Sequence, residues 1–207
     1  MKGNEPALLF IDFEFSMPEG RGPKGFFPEI IEVGLISILD RTETNEFSSY
    51  VKPRVFKRLT RRCRSFLSIT QEDVDQGITL AALVKKLAAL NNGGHNKVIT
   101  WGNMDMKVLR QNCERARLPF PLSGEFIDLS MEYKRFFGDR NQTGLWKAVQ
   151  EYGRDGVGNH HKALDDAMTT YHIYQLVEKD KRYLNKVEPT TLGERVDFTK
   201  LQQLLVQ

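Results

Sequence analysis

The chain has 207 residues, 40% of them hydrophobic and 28% charged, with a formal net charge of +3, a balance that fits one globular domain with a substantial core. No run approaches the ~20 apolar residues of a membrane span, and no long apolar signal-peptide core opens the chain, so a cytoplasmic protein without a membrane role is expected. So mild a charge excludes nucleic-acid binding by bulk charge, and any such site must rest on local clusters of cations.

Residues 7–15 read as a strand. Leu8, Phe10, Asp12 and Glu14 share one face, while Leu9, Ile11, Phe13 and Phe15 line the other. Apolar residues on both faces fit a central strand, which leaves Asp12 and Glu14 on the same side of it, about 7 Å apart. Two like charges at a buried position need a cation or strong hydrogen bonds to compensate them, and a metal ion is the natural resolution. Residues 16–28 hold three prolines and three glycines and form a loop. Residues 29–39 and 43–51 are two further strands joined by a turn at Asp40-Arg41, giving an antiparallel meander.

From residue 52 the chain turns basic. Lys52, Arg54, Lys57, Arg58, Arg61, Arg62 and Arg64 occur without one acid, interleaved with Val55, Phe56 and Leu59. A charge run of this kind is either a solvated face or a surface for a phosphate backbone. Arg58, Arg61 and Arg62, with Thr70 just beyond them, are the candidate nucleic-acid contacts. Thr70-Gln71-Glu72-Asp73 also has the form of a capped helix start. A helix follows over about residues 79–91, with Leu80, Leu83, Val84, Leu87 and Leu90 on one stripe, and Asn91-Asn92-Gly93-Gly94 ends it.

Residues 97–101 form a short strand and residues 104–117 a helix whose apolar stripe is Val108, Leu109, Cys113 and Ala116. Asp105, three and four residues before the first two, heads the buried face of that helix. A fifth strand is expected at residues 125–129, then helices at 130–137 and 143–152, where Trp146, Val149 and Tyr152 read as ordinary core. Cys63 and Cys113 lack zinc-site spacing and are expected to be free buried thiols.

The glycine-rich residues 153–159 lead into a last helix reaching about residue 179. At about 100° per residue, Ala163, Ala167, Thr170, Tyr171, Tyr174 and Val177 form its inward stripe with Asp166 at the border. Asp165 falls on the polar side with Thr169 and His172. His160 and His161 each precede an aspartate by five residues, so spacing alone leaves their pairing open. The whole reads as an α/β domain over residues 1–182, a mixed five-stranded sheet with helices on its faces. Residues 183–207 would form a tail packed on it, with Phe198, Leu201 and Leu205 as its apolar side.

Asp12-Phe13-Glu14, then Asn103-Met104-Asp105 opening a helix, then the run from His161 to Ala167 resemble the three exonuclease motifs of the DEDDh family, which has an RNase H-like fold. In that family's last motif the histidine stands two residues before an alanine and five before the metal-binding acid, which selects His161 and Asp166. Phe27-Pro28-Glu29-Ile30-Ile31-Glu32, residues 59–75 and Trp101-Gly102 resemble the branch that contains the 3′ exonucleases of histone mRNA and interfering RNA. The likeness covers about residues 7–180. It implies a metal-dependent 3′–5′ exonuclease that removes nucleoside 5′-monophosphates from single-stranded nucleic acid with a free 3′ end, RNA being favoured.

By the same resemblance Asp12 touches both of two Mg²⁺ or Mn²⁺ ions, Glu14 and Asp166 hold the first, and Asp105 acts mainly through bound water. Two ions about 3.5–4 Å apart suit in-line phosphodiester hydrolysis, and hard oxygen ligands select such metals. His161, on a loop that would leave it free to swing, would take a proton from the attacking water. Two rival expectations stand beside this one. A bacterial member of the branch is linked to inhibition of a sporulation-kinase pathway, which implies a regulatory protein acting through a protein partner. The other is a DNA-proofreading module attached to a polymerase.

Overall fold

The structure, a computed structural model, describes residues 7–39, 42–91 and 97–184. The turn expected at Asp40-Arg41, the residues after Asn91 that were to end a helix, and the tail beyond Leu184 lie outside them. Residues up to Tyr174 form one compact unit, and a second begins at Gln175.

The first strand, β1 (Leu8–Phe15), is central, as its two apolar faces require. β2 (Ile30–Leu39) and β3 (Thr42–Tyr50) follow as an antiparallel meander, and β4 (Lys97–Thr100) and β5 (Glu125–Asp128) add in parallel on the other side. The sheet order is β3-β2-β1-β4-β5, the mixed five-stranded sheet expected from the sequence. Pairing of β1 with β2 sets Asp12 opposite Gly34 and Glu14 opposite Glu32, and the register shifts between Glu14 and Phe15. Such irregularities re-aim side chains at the edge of a site.

Between β3 and β4 lie α1 (Arg61–Leu67), α2 (Gln71–Gln76) and α3 (Leu80–Leu90). α1 was not legible in the basic run. Its seven residues bury only Cys63 and Leu67, a single i, i+4 pair too short to show a period. The Thr60 hydroxyl caps it by accepting from the Cys63 amide at 3.0 Å. Thr70 and Asp73 form the reciprocal capping box at the start of α2, so the Thr70 hydroxyl is engaged in holding that helix. α3 buries Leu83, Val84 and Leu87, as its stripe predicts.

α4 (Met104–Ala116) packs Val108, Leu109 and Cys113 with Leu9, Ile11 and Phe13 of β1 in the main core. Burying those side chains, at about 1.5–3 kcal/mol each, is what fixes α4 against the sheet. Then come α5 (Leu129–Phe137), α6 (Leu145–Glu151) and α7 (Ala163–Leu184), which runs further than the sequence suggested. On the opposite face of β1 the Phe10 ring meets Tyr171 and Tyr174 of α7. Cys63 and Cys113 are both buried and free. No helix among the described residues is long and apolar enough to cross a membrane.

Gly34 decides how closely α7 can approach. A Cβ built there would collide with the backbone carbonyl of Ala163 and the amide of Leu164, so the helix start lies flush on β2 because that position has no side chain. Gly34→Ala should therefore overpack the joint and cost about 1–3 kcal/mol. A denaturant melt should show the loss, and unchanged stability would mean that the helix start can shift freely.

Candidate active site

Three elements converge at the C-terminal end of β1. That strand supplies Asp12 and Glu14, the start of α7 supplies Asp166, and the first turn of α4 supplies Asp105. Carboxylate oxygens of Asp12, Glu14 and Asp166 all lie within 4.8 Å of one another. Asp105 stands beside this trio, buried, with its Oδ1 accepting from the Phe13 amide at 3.0 Å.

So many acids at one partly buried place repel, and their proton affinities rise accordingly. Burial, then Asp105, Glu14 and Asp166, hold the Asp12 carboxyl well above the usual carboxylate range. Burial and the neighbouring Asp166 push Glu14 up to about 8. Burial pushes Asp105 up to about 7 against the opposing hydrogen bond from Phe13. Asp166 is raised by burial but held back by the Trp146 indole, His160 and the His161 amide.

A pH dependence of stability follows. Glu14 ordinarily titrates at 4.5 but at about 8 in the fold, so the folded protein binds the extra proton. Stability of the metal-free protein should therefore fall as pH rises from about 4.5 to about 8, because the unfolded chain ionises freely while the fold cannot. The downward shift of His161 from 6.5, caused by burial and by His160, acts in the opposite sense only over an interval below 6.5. Melting temperature should drop across this window without divalent metal and flatten with it, and metal binding at pH 7 should release protons. A metal-free melting temperature that climbs between pH 5 and 8 would contradict the crowding.

His161 stands at the rim of the acids, with Nδ1 3.7 Å from Glu14 Oε1. Its backbone is left-handed, with φ 63°, a strained conformation for a non-glycine residue. That twist aims its amide at Asp166 Oδ2, 3.1 Å away. The ring was expected to swing freely, but it is sandwiched, 4.3 Å from the Phe66 ring and stacked on His160 at 3.8 Å. Spacing would have paired His160 with Asp165. Instead His160, His161 and Asp166 bring ligand atoms within 4.8 Å of one another, while Asp165 Oδ2 accepts from the Asn159 amide at 2.7 Å. Gly158, at φ +57°, leaves room for that carboxylate.

Thr169, expected on the polar side, is fully buried. Its hydroxyl accepts from the Val157 amide and donates to the Asp165 carbonyl, because the loop before α7 folds over that flank. Trp146, expected to be ordinary core, donates from Nε1 to Asp166 Oδ1 at 2.7 Å and packs on His160. Glu32 and Lys162 were also missed as neighbours of the site. Glu32 faces Glu14 across the strands, Lys162 Nζ lies 3.8 Å from its Oε2, and the same amine reaches the Tyr50 hydroxyl at 3.3 Å. The cross-strand spacing of Glu14 and Glu32, once β2 was placed, was the signal available for it.

Arg58, Arg61 and Arg62 are all exposed and stand outside the acid cluster. α1, which carries Arg61 and Arg62, ends beside Phe66, whose ring touches His161.

An exonuclease family model, of the RNase T type, matches residues 9–174. The chain belongs to this exonuclease family. It is 56% identical over 196 residues to a probable 3′–5′ exonuclease, KapD, of Bacillus subtilis, covering 94% of this chain and 96% of that one. Human 3′–5′ exoribonuclease 1 is 32% identical over 171 residues, which is 77% of this chain but only 49% of the human protein. Among solved structures, the nuclease domain of 3′hExo, a DEDDh family member bound to rAMP, superposes with a TM-score of 0.76 at 28% identity, covering 87% of this chain and 95% of that domain. The fold is therefore the RNase H-like exonuclease fold, and the chain is an exonuclease of the 3′–5′ class. Dependence on divalent metal is general to the family, and the carboxylate cluster accords with it.

Proposed function

We propose that this exonuclease shortens single-stranded RNA from its 3′ end and releases nucleoside 5′-monophosphates, with Asp12, Glu14, Asp166 and Asp105 as metal-binding acids and His161 as general base. The observation that carries the reading is the convergence of three carboxylates within 4.8 Å with one half-buried imidazole at their rim. An all-oxygen donor set that repels itself when empty of cations suits Mg²⁺ or Mn²⁺. A pair of such ions would stabilise the attacking and leaving oxygens of the phosphodiester together. Asp12, flanked by the other acids, would serve both ions. Asp105, tied by one oxygen to the Phe13 amide, would act through bound water.

His161 is neutral over more of the pH range than an ordinary histidine, since burial and His160 lower its proton affinity. A neutral ring can take the proton of the attacking water. Glu14 beside Nδ1 then stabilises the charge the ring gains. The exposed side chains of Phe66 and Met104, one against His161 and one next to Asp105 in sequence, offer apolar faces to the terminal nucleotide, which stacking would hold without regard to sequence. RNA is favoured because a relative at 32% identity is named an exoribonuclease. A structural neighbour at 28% identity is described as recognising the 3′ end of a histone mRNA stem-loop.

The test is incubation of purified protein with 5′-labelled single-stranded RNA and DNA of one sequence, with Mg²⁺, Mn²⁺ or chelator. A ladder shortening from the 3′ end, mononucleotide products, faster loss of RNA and silence with chelator are expected. Failure to release nucleotides with any metal would overturn the reading and leave the regulatory one, in which the fold acts through a protein partner.

A further inference from the structure

At the opposite end of α4 from Asp105, a cavity of about 370 Å³ opens between the start of the basic run and the N-terminal turn of α3. Lys52, Arg54 and Lys57 line it, with Pro53, Leu80 and Leu118 supplying apolar wall, and no acid is among its lining residues. Its size is that of a small-ligand site. Three cations around an apolar slot call for an anion that carries a flat or apolar group, as each unit of a nucleic-acid strand does.

The cations are mounted on a fixed backbone. The carboxylate of Glu29, buried at 4% exposure, accepts from the amides of Arg54, Val55 and Phe56 at 2.7, 3.0 and 2.7 Å. The Lys52 amide donates to the Ile78 carbonyl at 2.8 Å, joining the run to the segment that enters α3. The Arg54 guanidinium donates to the Arg115 carbonyl at 2.6 Å, which sets its orientation at the end of α4. These bonds fix where the three cations stand around the cavity.

Position points to the occupant. Asp105 and Ala116 stand at the two ends of α4, eleven residues apart, hence about 16 Å along the axis. In the chain the cavity's cations are followed by the exposed Arg58 and by α1, which carries the exposed Arg61, Arg62 and Arg64 and whose Phe66 ring meets His161. We infer that the cavity is a subsite for one nucleotide of the substrate strand several positions upstream of the 3′ end, its phosphate on Lys52, Arg54 and Lys57 and its base against Leu80 and Leu118. This rests on the exonuclease reading above. The Thr79 hydroxyl at the cavity edge accepts from the Ala82 amide at 3.2 Å, capping α3.

The test compares hydrolysis of a dinucleotide, too short to reach the cavity, with that of an unstructured RNA of about twelve nucleotides, a length in the range single-strand sites span. Two variants are used. Lys52→Ala with Lys57→Ala removes charge from exposed positions, and Ala81→Trp fills the slot from an exposed position of α3 while leaving every cation in place. Both should raise KM for the long RNA by about tenfold, or 1.4 kcal/mol, and leave dinucleotide turnover unchanged. The double lysine variant should also lower the slope of log affinity against log salt by about 0.7 for each phosphate it no longer neutralises. An unchanged KM for the long RNA in both variants would overturn the subsite and return the cavity to some other acidic partner, as would an equal loss on the dinucleotide. If the wild-type protein hydrolysed neither substrate, it would be the exonuclease reading that failed.

Discussion

Asp12→Asn should reduce turnover by about 10³-fold or more, the scale expected when a group central to stabilising transition-state charge is lost. The substitution keeps the shape of the side chain on a central strand whose neighbours Phe10, Ile11 and Phe13 are buried, so the fold should persist. It deletes the charge that burial and four neighbouring acids already make costly. Two measurements should therefore move in opposite directions. Without metal the variant should melt at a higher temperature than the wild type, because one member of a repelling cluster has become neutral. In calorimetric titration it should bind Mg²⁺ or Mn²⁺ more weakly. Normal turnover at saturating Mg²⁺ would remove Asp12 from the site.

His161→Ala is expected to lower turnover by about 10²- to 10⁴-fold, the usual range for acid–base assistance, while RNA affinity and metal affinity barely change. The rate of the wild-type protein should climb with pH along a limb placed below the ordinary histidine value, because burial and His160 favour the neutral ring. That limb should vanish from the residual activity of the variant. His160→Ala tests the registration of the pair. His160 lies between the Trp146 indole and the His161 ring, so its removal should loosen the stack and cost less than loss of His161, with the pH limb retained. Should His160→Ala prove the more damaging change and abolish the limb, the general base has been misassigned by one residue.

The acids were legible in the sequence because each departs from a local pattern. Asp12 and Glu14 interrupt a strand that is apolar on both faces, Asp105 heads an apolar stripe, and helical periodicity separates Asp166 from Asp165. The central place of β1 followed from the same reasoning, since a strand apolar on both faces has to be flanked on both sides, whereas the order of the strands around it came from the structure. What could not be read were partnerships between distant segments. Trp146 is twenty residues from Asp166, and in sequence it looks like any buried aromatic. Thr169 lies on the polar arc of α7 and is buried only because the preceding loop crosses it. The sandwiching of His161 by Phe66 joins residues from distant parts of the domain, and α1 offers too few turns for periodicity to show. Local physics marked the charged residues, while their second neighbours depended on tertiary packing.

The flush joint between Gly34 and the start of α7 has a consequence for how this nuclease is made. β1, the strand that carries Asp12 and Glu14, leaves the ribosome well before the start of α7, because His160, His161 and Asp166 follow it by about 150 residues. Contacts so far apart in sequence form late and slowly, and nothing nearer in the chain can stand in for them. A nascent chain that has not reached residues 160–166 carries Asp12, Glu14 and Asp105 but neither Asp166 nor His161, so on the roles proposed for them it could not cut RNA while still tethered to its own message. On those roles, competence would arrive with the closing of that one joint.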